Sequence, residues 1–470
     1  MTTRITTYIT IATLLFLSAC KVSKDITAPT DTAPKAFRDV TTTDTTNIAT
    51  IEWKSFFQDE NLRQLIENTI TNNYDMQAAL KNIEAAQLIA TQSKMGYLPE
   101  ARLVATAGIT RPSDNSLNGL SLSKFLEKSY VEDYNLSALV SWEADIWGKI
   151  KNQKSKALAS YLQTTEARKA IQTNLVSSVA KGYYNLLMLD AQIAIAKKNL
   201  LLNDSTLNII KLQFNAGQVT NLAVQQAEAQ RLVAAQLIPQ IEQDIAVQEN
   251  ALSVLAAVAP AAIKRTGSIN DLHFANELSS GVPSQLLQNR PDVRASELEL
   301  TIANANTGIS KAAMYPSLTI TAGGGLNSFK ASNWFNIPAS LFAAAAGGIT
   351  QPLFQRKQLK TQYELAKVDR EKSVIRFRQS VLTAVGEVSD ALVRESKLQQ
   401  QQSIAATRVT TLNQAIGNAD LLFKNGMANY LEVITAQGNV LQAELELAVL
   451  KKDQLNATVE LYRSLGGGWK

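Results

Sequence analysis

From Lys149 to Phe214 the chain contains no proline, and Gly182 is the only glycine. Proline breaks a helix interior and glycine weakens it, so a segment of this length with almost none of either reads as one helix. At 1.5 Å per residue such a helix extends roughly 100 Å, far beyond the width of a compact domain. A heptad register runs along it. Leu186, Ile193, Leu200, Leu207 and Phe214 occupy one position, Leu189, Ala196 and Ile210 the other, and Asn203 interrupts. A seam of this kind is coiled-coil packing. Gly217 then marks a turn, where a left-handed residue ends one helix and lets the next run back antiparallel.

The same arrangement is written twice. Val374, Val381, Val388, Val409, Ile416 and Phe423 form a second seam against Phe377, Ala384, Ala391, Leu398, Ala405, Leu412 and Ala419. Gly426 marks the second turn, and the returning helix keeps the seam through Leu431, Ile434, Leu441, Leu445, Ala448 and Leu455. Around the turns, Leu212, Phe214, Gly217, Leu222, Val224 and Ala227 return as Leu421, Phe423, Gly426, Leu431, Val433 and Ala436. Upstream, the run from Asn73 to Ala79 returns as Arg290 to Ser296, 217 positions later, and Ser93-Lys94 and Pro99 return as Ser310-Lys311 and Pro316. Landmarks repeated in one order imply a fused tandem duplication. The reading is a first repeat over 51–270 and a second over 271–470, with helical hairpins at about 149–259 and 356–465.

Each repeat opens on a helical pattern (about 60–95 and 290–313) that ends at Tyr97-Leu98-Pro99 or Met314-Tyr315-Pro316. The period then becomes two. Leu103, Ala105, Ala107 and Ile109 alternate with Val104, Thr106, Gly108 and Thr110. Leu136, Ala138, Val140, Trp142, Ala144 and Ile146 alternate with Asn135, Ser137, Ser141, Glu143 and Asp145, and Leu139 is the exception. Leu318, Ile320 and Ala322 alternate with Thr319 and Thr321, while a fourth segment, about 339–354, alternates poorly. Strand pairs are therefore expected at about 98–146 and 316–354, joined by polar loops around 112–129 and 328–337. Strands of about ten residues with one apolar face suit a transmembrane barrel. A soluble hairpin has the same periodicity, so the pattern alone leaves both open. Four strands cannot close a barrel, which takes about eight, and open strand edges are not tolerated in lipid. If these strands cross a membrane, the chain self-associates.

Composition removes several functions. Lys and Arg number 46 against 41 Asp and Glu, a small surplus spread along the chain that leaves no footprint for nucleic acid. One histidine, His273, and one cysteine, Cys20, exclude Cys/His metal clusters and disulfides within the chain. His273 lies beside a turn and reads as a surface or packing residue. No catalytic constellation is present, so the expectation is a non-enzyme without cofactor or metal.

The first twenty residues set the compartment. Arg4 precedes an apolar run from Ile9 to Leu17, too short for a permanent membrane helix and suited to a secretory signal. Leu17-Ser18-Ala19-Cys20 looks like a bacterial lipobox. That resemblance implies removal of residues 1–19 and covalent lipid on Cys20, an anchor to outer-membrane lipids. An ordinary cleaved signal with a chance cysteine is the alternative. Lys21 stands where an Asp often signals inner-membrane retention, and is compatible with transfer to the outer membrane. Residues 20–50, rich in Thr and Pro, are expected to form an extended arm.

Four motifs carry a family resemblance: Arg290-Pro291-Asp292-Val293-Arg294-Ala295-Ser296-Glu297, Trp142-Glu143-Ala144-Asp145-Ile146-Trp147-Gly148, Tyr430-Leu431-Glu432-Val433-Ile434-Thr435-Ala436-Gln437, and the terminal Leu465-Gly466-Gly467-Gly468-Trp469. Together with the lipobox they resemble the lipoprotein (NodT-type) branch of TolC-like outer-membrane factors over essentially the whole mature chain. The resemblance implies a mainly α protein with a membrane β-barrel. Duplicated hairpins would build a periplasmic α-barrel, and four strands per protomer a twelve-stranded outer-membrane barrel in a homotrimer. It further implies a passive exit duct for small molecules such as drugs and other toxic compounds. A periplasmic adaptor and an inner-membrane transporter of the RND type would be its partners. The tip would lie at Gly217 and Gly426, and the gate at Leu431, Glu432 and Thr435. Relatives often carry Asp where Thr435 stands and Arg where Gly438 stands. Leu431 could therefore form an apolar plug with Glu432 as an acidic ring, or Glu432 is a solvated helix-face charge. The same fold could serve type I protein secretion. A different class, a structural or adaptor periplasmic coiled-coil lipoprotein, leaves either the second hairpin or the strands unexplained.

Overall fold

The computed structural model describes Phe37 and residues 47–272, 280–281 and 283–470. Cys20, residues 1–19, most of the arm at 20–50 and His273 lie outside the described residues. In chain order the elements are α1 (Trp53–Phe56), α2 (Glu60–Asn72), α3 (Tyr74–Met95), β1 (Glu100–Thr110), α4 (Leu117–Leu126), β2 (Val131–Ala144), α5 (Lys149–Asn215) and α6 (Asn221–Leu255). They continue with α7 (Leu286–Asn289), α8 (Pro291–Ala312), β3 (Ser317–Ser328), β4 (Leu341–Thr350), α9 (Gln358–Lys424) and α10 (Tyr430–Ser464).

The duplication extends to length. α3 and α8 have 22 residues each, α5 and α9 have 67 each, and α6 and α10 have 35 each. The offset falls from 217 at the first strands (Glu100 to Ser317) to 209 at the long helices (Lys149 to Gln358), so all of the shortening falls in the strand region. The compact units partition the chain differently from the repeats. Among the described residues, one draws on 84–162 and 297–375, and the other on the remainder.

The first unit contains a four-stranded antiparallel sheet in the order β1-β2-β3-β4. Its register aligns Ala105, Leu136, Leu326 and Leu341 across all four strands. The tryptophan-bearing motif after β2 turns strand into helix. Asp145 accepts hydrogen bonds from the Ile150 and Lys151 N–H groups at 2.9 and 2.8 Å, capping α5, while Gly148 takes φ +74. Trp147 donates from Nε1 to the Pro316 carbonyl at 2.7 Å and stacks on Tyr315 at 4.8 Å. The connection expected as a polar loop around 112–129 instead holds α4, whose Ser116 Oγ accepts from the Gly119 N–H at 3.1 Å. A serine-rich stretch read as loop thus supplied the cap that starts a helix.

The second unit holds the remaining length of the hairpins. Leu186, Leu189, Ala196, Leu207 and Ile210 of α5 are buried, as are Phe377, Val381, Ala384, Val388 and Ala391 of α9. Three seam assignments need correction. Asn203 does not interrupt the seam: it is 2% exposed and donates from Nδ2 to Asn199 Oδ1 at 2.7 Å. Phe214 and Leu431 are 41% and 50% exposed, because the strict heptad lapses next to the turns and Val433 takes the buried place. The continuous helix expected over about 60–95 is also interrupted. Asn73 is extended (φ −57, ψ 132), and its Oδ1 accepts from the Asp75 and Met76 N–H groups at 2.9 and 3.1 Å, starting α3 afresh.

The Arg290 motif and the glycine-rich terminus meet in this unit. Arg290 is almost fully buried and forms a two-pronged pair with Asp292 (Nε to Oδ1 3.0 Å, Nη2 to Oδ2 2.6 Å). Its Nη1 donates to Glu387 Oε2 at 2.8 Å and to the Ser464 carbonyl at 3.0 Å. A Cβ at Gly466 would stand 2.5 Å from the Asn289 carbonyl oxygen, and one at Gly467 would enter the Tyr462 ring. Trp469 then donates from Nε1 to the same Asn289 carbonyl at 3.1 Å. Two motifs far apart in sequence are the two halves of one packing contact.

Candidate functional site

Two surfaces stand out, one in each unit. In the second unit both hairpins end in the same bonded turn. Gly217 (φ +70) donates its N–H to the Phe214 carbonyl at 2.9 Å, and Gln218 donates to Gln213 at 2.9 Å. Gly426 (φ +70) donates to Phe423 at 3.1 Å, and Met427 donates to Leu422 at 2.9 Å. This pair of bonds satisfies the last carbonyls of the helix and requires a left-handed residue at the glycine. Behind the turns, Leu207, Ile210, Ala223, Ala227, Phe423 and Val433 form one buried cluster to which α5, α6, α9 and α10 all contribute.

The three residues named by sequence for a gate sit on the outside of this cluster. Asn429 caps α10, its Oδ1 accepting from the Leu431 and Glu432 N–H groups at 2.9 and 3.2 Å. Leu431, Glu432 and Thr435 are all exposed, whereas Val433, Ile434 and Gln437 are buried. Thr435 stands four residues after Leu431 and three after Glu432, spacings that make helix neighbours, so the three lie on the side turned away from the seam. Two further contacts here had no sequence signal, because each joins residues about two hundred positions apart. Tyr430 donates from Oη to Gln226 Oε1 at 2.9 Å, tying α10 to α6. Gln437 donates from Nε2 to Thr206 Oγ1 at 2.7 Å, tying α10 to α5.

The second surface is the sheet of the first unit. Its register places Leu103, Ala105, Leu136, Ala138, Val140, Trp142, Ile320, Ala322, Leu341 and Ile349 on one face. The other face carries Glu100, Arg102, Thr106, Asn135, Ser137, Ser141, Glu143, Thr319, Thr321 and Asn327. Asn327 donates to Asp133 there at 2.8 Å, and Lys149 pairs with Glu143 at 3.0 Å. Large apolar side chains such as Leu103 and Ile349 are exposed on the first face. Aromatic residues mark both ends of the strands. Trp142 donates from Nε1 to the Tyr97 carbonyl at 2.9 Å at one end, and Tyr134 and Trp334 lie 5.5 Å apart at the other. β1 and β4 each leave one edge unpaired among the described residues. An exposed apolar face bounded by aromatic residues is the pattern that strands facing lipid carry. No described helix is long and apolar enough to cross a membrane.

Known proteins share this arrangement. The family model described as outer membrane efflux protein matches residues 65–258 and 282–467. The toluene efflux pump outer membrane protein TtgF of Pseudomonas putida is 30% identical over 431 residues, covering 90% of this chain and 87% of that protein. SilC of Salmonella typhimurium, named a probable outer membrane lipoprotein, is 26% identical and covers 98% of both chains. Among solved structures, CusC, described as forming a transmembrane channel, superposes with a TM-score of 0.84 at 26% identity, covering 96% of this chain and all of that one. The chain belongs to the outer membrane efflux protein family, and is an efflux duct of the outer membrane rather than an enzyme.

Proposed function

We propose that this protein is the trimeric exit duct of a tripartite efflux pump for small organic molecules. The observation that carries the reading is the sheet: one face is apolar and exposed, and both outer edges lack partners among the described residues. In a bilayer an unpaired backbone group costs several kcal/mol. Pairing β4 of each protomer with β1 of the next removes every open edge and gives twelve strands. The apolar face then meets lipid and the polar face lines the lumen. The name of the relative TtgF supports small apolar cargo.

In this reading residues 1–19 are removed, Cys20 carries lipid, and residues 20–50 lead from the anchor to the folded body. The turns at Gly217 and Gly426 form the periplasmic tip. Three copies each of Leu431, Glu432 and Thr435 close it, leucine excluding water and the carboxylate setting the potential. A periplasmic adaptor and an inner-membrane transporter of the RND type deliver the cargo. Light scattering of the mature protein in mild detergent tests the assembly. Three protomers are expected, and a stable monomer overturns the barrel.

A further inference from the structure

The polar face of the sheet has an apolar flaw that a water-filled duct does not need. Leu139, which breaks the alternation of β2, lies in a cross-strand row with Arg102, Gly323 and Ala344. The adjoining row holds Val104, Ser137, Gly325 and Phe342. A Cβ added at Gly323 would stand 2.5 Å from Leu139 Cδ2, so Leu139 lies across the space that the glycine leaves open. Leu139 and Phe342 border a shallow concavity of about 280 Å³, flanked by Glu100, Arg102, Ser141 and Thr321. Phe342 is 36% exposed, and Arg102 is exposed with no ion pair among the described residues. Neither apolar side chain belongs to the buried core.

We propose that this patch is a contact site for amphipathic organic anions: molecules with a flat apolar body and one acidic group, met on their way out. The proposal rests on the reading of the polar face as the lumen. Leu139 and Phe342 take apolar surface out of water, and the Arg102 guanidinium matches a carboxylate or sulfonate in a two-pronged pair. The sign follows from position. Arg102 shares the row of Leu139, while Glu100 stands one row on beside Ser141 and Thr321, and Glu143 beyond it is already paired with Lys149. The concavity is open, so contact is brief. Conduction requires that a passing molecule bind well enough to enter and weakly enough to leave.

The test uses the full-length trimer in a planar bilayer, with 1-naphthalenesulfonate added on the side of the loops that follow β1 and β3. Brief current blockades are expected. Their dwell time, measured against each variant's own open current, falls about tenfold in Arg102→Gln, in Leu139→Asn and in Phe342→Ala. Should Phe342→Ala not assemble, Phe342→Tyr keeps the dwell time and Phe342→Leu shortens it. Unchanged dwell times in these variants overturn the proposal. So does a stronger block by naphthylmethylammonium that Glu100→Gln removes. Ser141→Cys, probed with a water-soluble maleimide, separates the two levels. Labelling without blockade sinks the contact site alone, and absence of labelling sinks the lumen reading beneath it.

Discussion

Ala257 and Gly466 occupy the same place in the two copies, just past the ends of α6 and α10, and they meet its demand differently. Ala257 donates its N–H to the Val254 carbonyl and Val258 donates to Ser253, both at 3.0 Å. Gly466 and Gly467 make the matching bonds to Arg463 and Tyr462 at 2.9 Å. The geometry needs a left-handed residue, and Ala257 adopts φ 54 where Gly466 has φ 96. A Cβ in that region costs roughly 1 kcal/mol, partly offset by the greater freedom of an unfolded glycine. Ala257→Gly should therefore stabilise the fold by about 0.5 kcal/mol, read as a higher urea midpoint at unchanged slope. Gly466→Ala should lower it by about 2 kcal/mol or more, since its new methyl meets the Asn289 carbonyl. Leu431 and Glu432 make a second pair of unlike neighbours. If Leu431 is the apolar plug proposed above, Leu431→Ser should raise the leak conductance of the channel in planar bilayers. Glu432→Ala should mainly weaken cation preference. No change in conductance or selectivity from either places the constriction elsewhere.

Among elements, one electrostatic tie joins α5, α9 and α10. Burial works to raise the pKa of Glu460, but hydrogen bonds and charge from Arg463 and Lys181 outweigh it and hold the carboxyl at about 2 instead of 4.5. Arg463 also reaches Glu387 at 3.0 Å, which Arg290 shares. A carboxyl depressed in the folded state lends stability that is whole above its unfolded value and is lost on acidification. Stability should therefore fall as pH drops from about 4.5 towards about 2. Glu460→Gln should be less stable at neutral pH and show a shallower acid decline in denaturant titrations. A slope equal to the parent's would remove Glu460 as a cause. The long helices themselves were legible from sequence, because missing proline and glycine and a repeating seam are local signals. α4 was not, since serine and glycine serve loops and helix caps alike. Leu431 was misassigned to the seam because heptad counting passed through a region where the turn resets the phase. The common face of Leu431, Glu432 and Thr435 follows from helix spacing alone, whereas the Tyr430–Gln226 bond required the fold.

For the molecule as a whole, the proposed lipid anchor gives the cleanest test. Cys20→Ala should abolish labelling by a fatty-acid analogue, because the chain has no other thiol. Persistent labelling would remove the lipoprotein reading. The equal lengths of the paired helices carry a wider implication. Each hairpin is a ruler for the other, since a seam closed across both copies tolerates only equal changes in each. Deleting seven residues from α5 alone offsets its turn from that of α9 by about 10 Å and separates the halves of the shared cluster. Removing one heptad from each of α5, α6, α9 and α10 keeps every phase and merely shortens the body. The two halves of this gene are therefore free to drift in side chains, as Ala257 and Gly466 have, but are bound to change length in step.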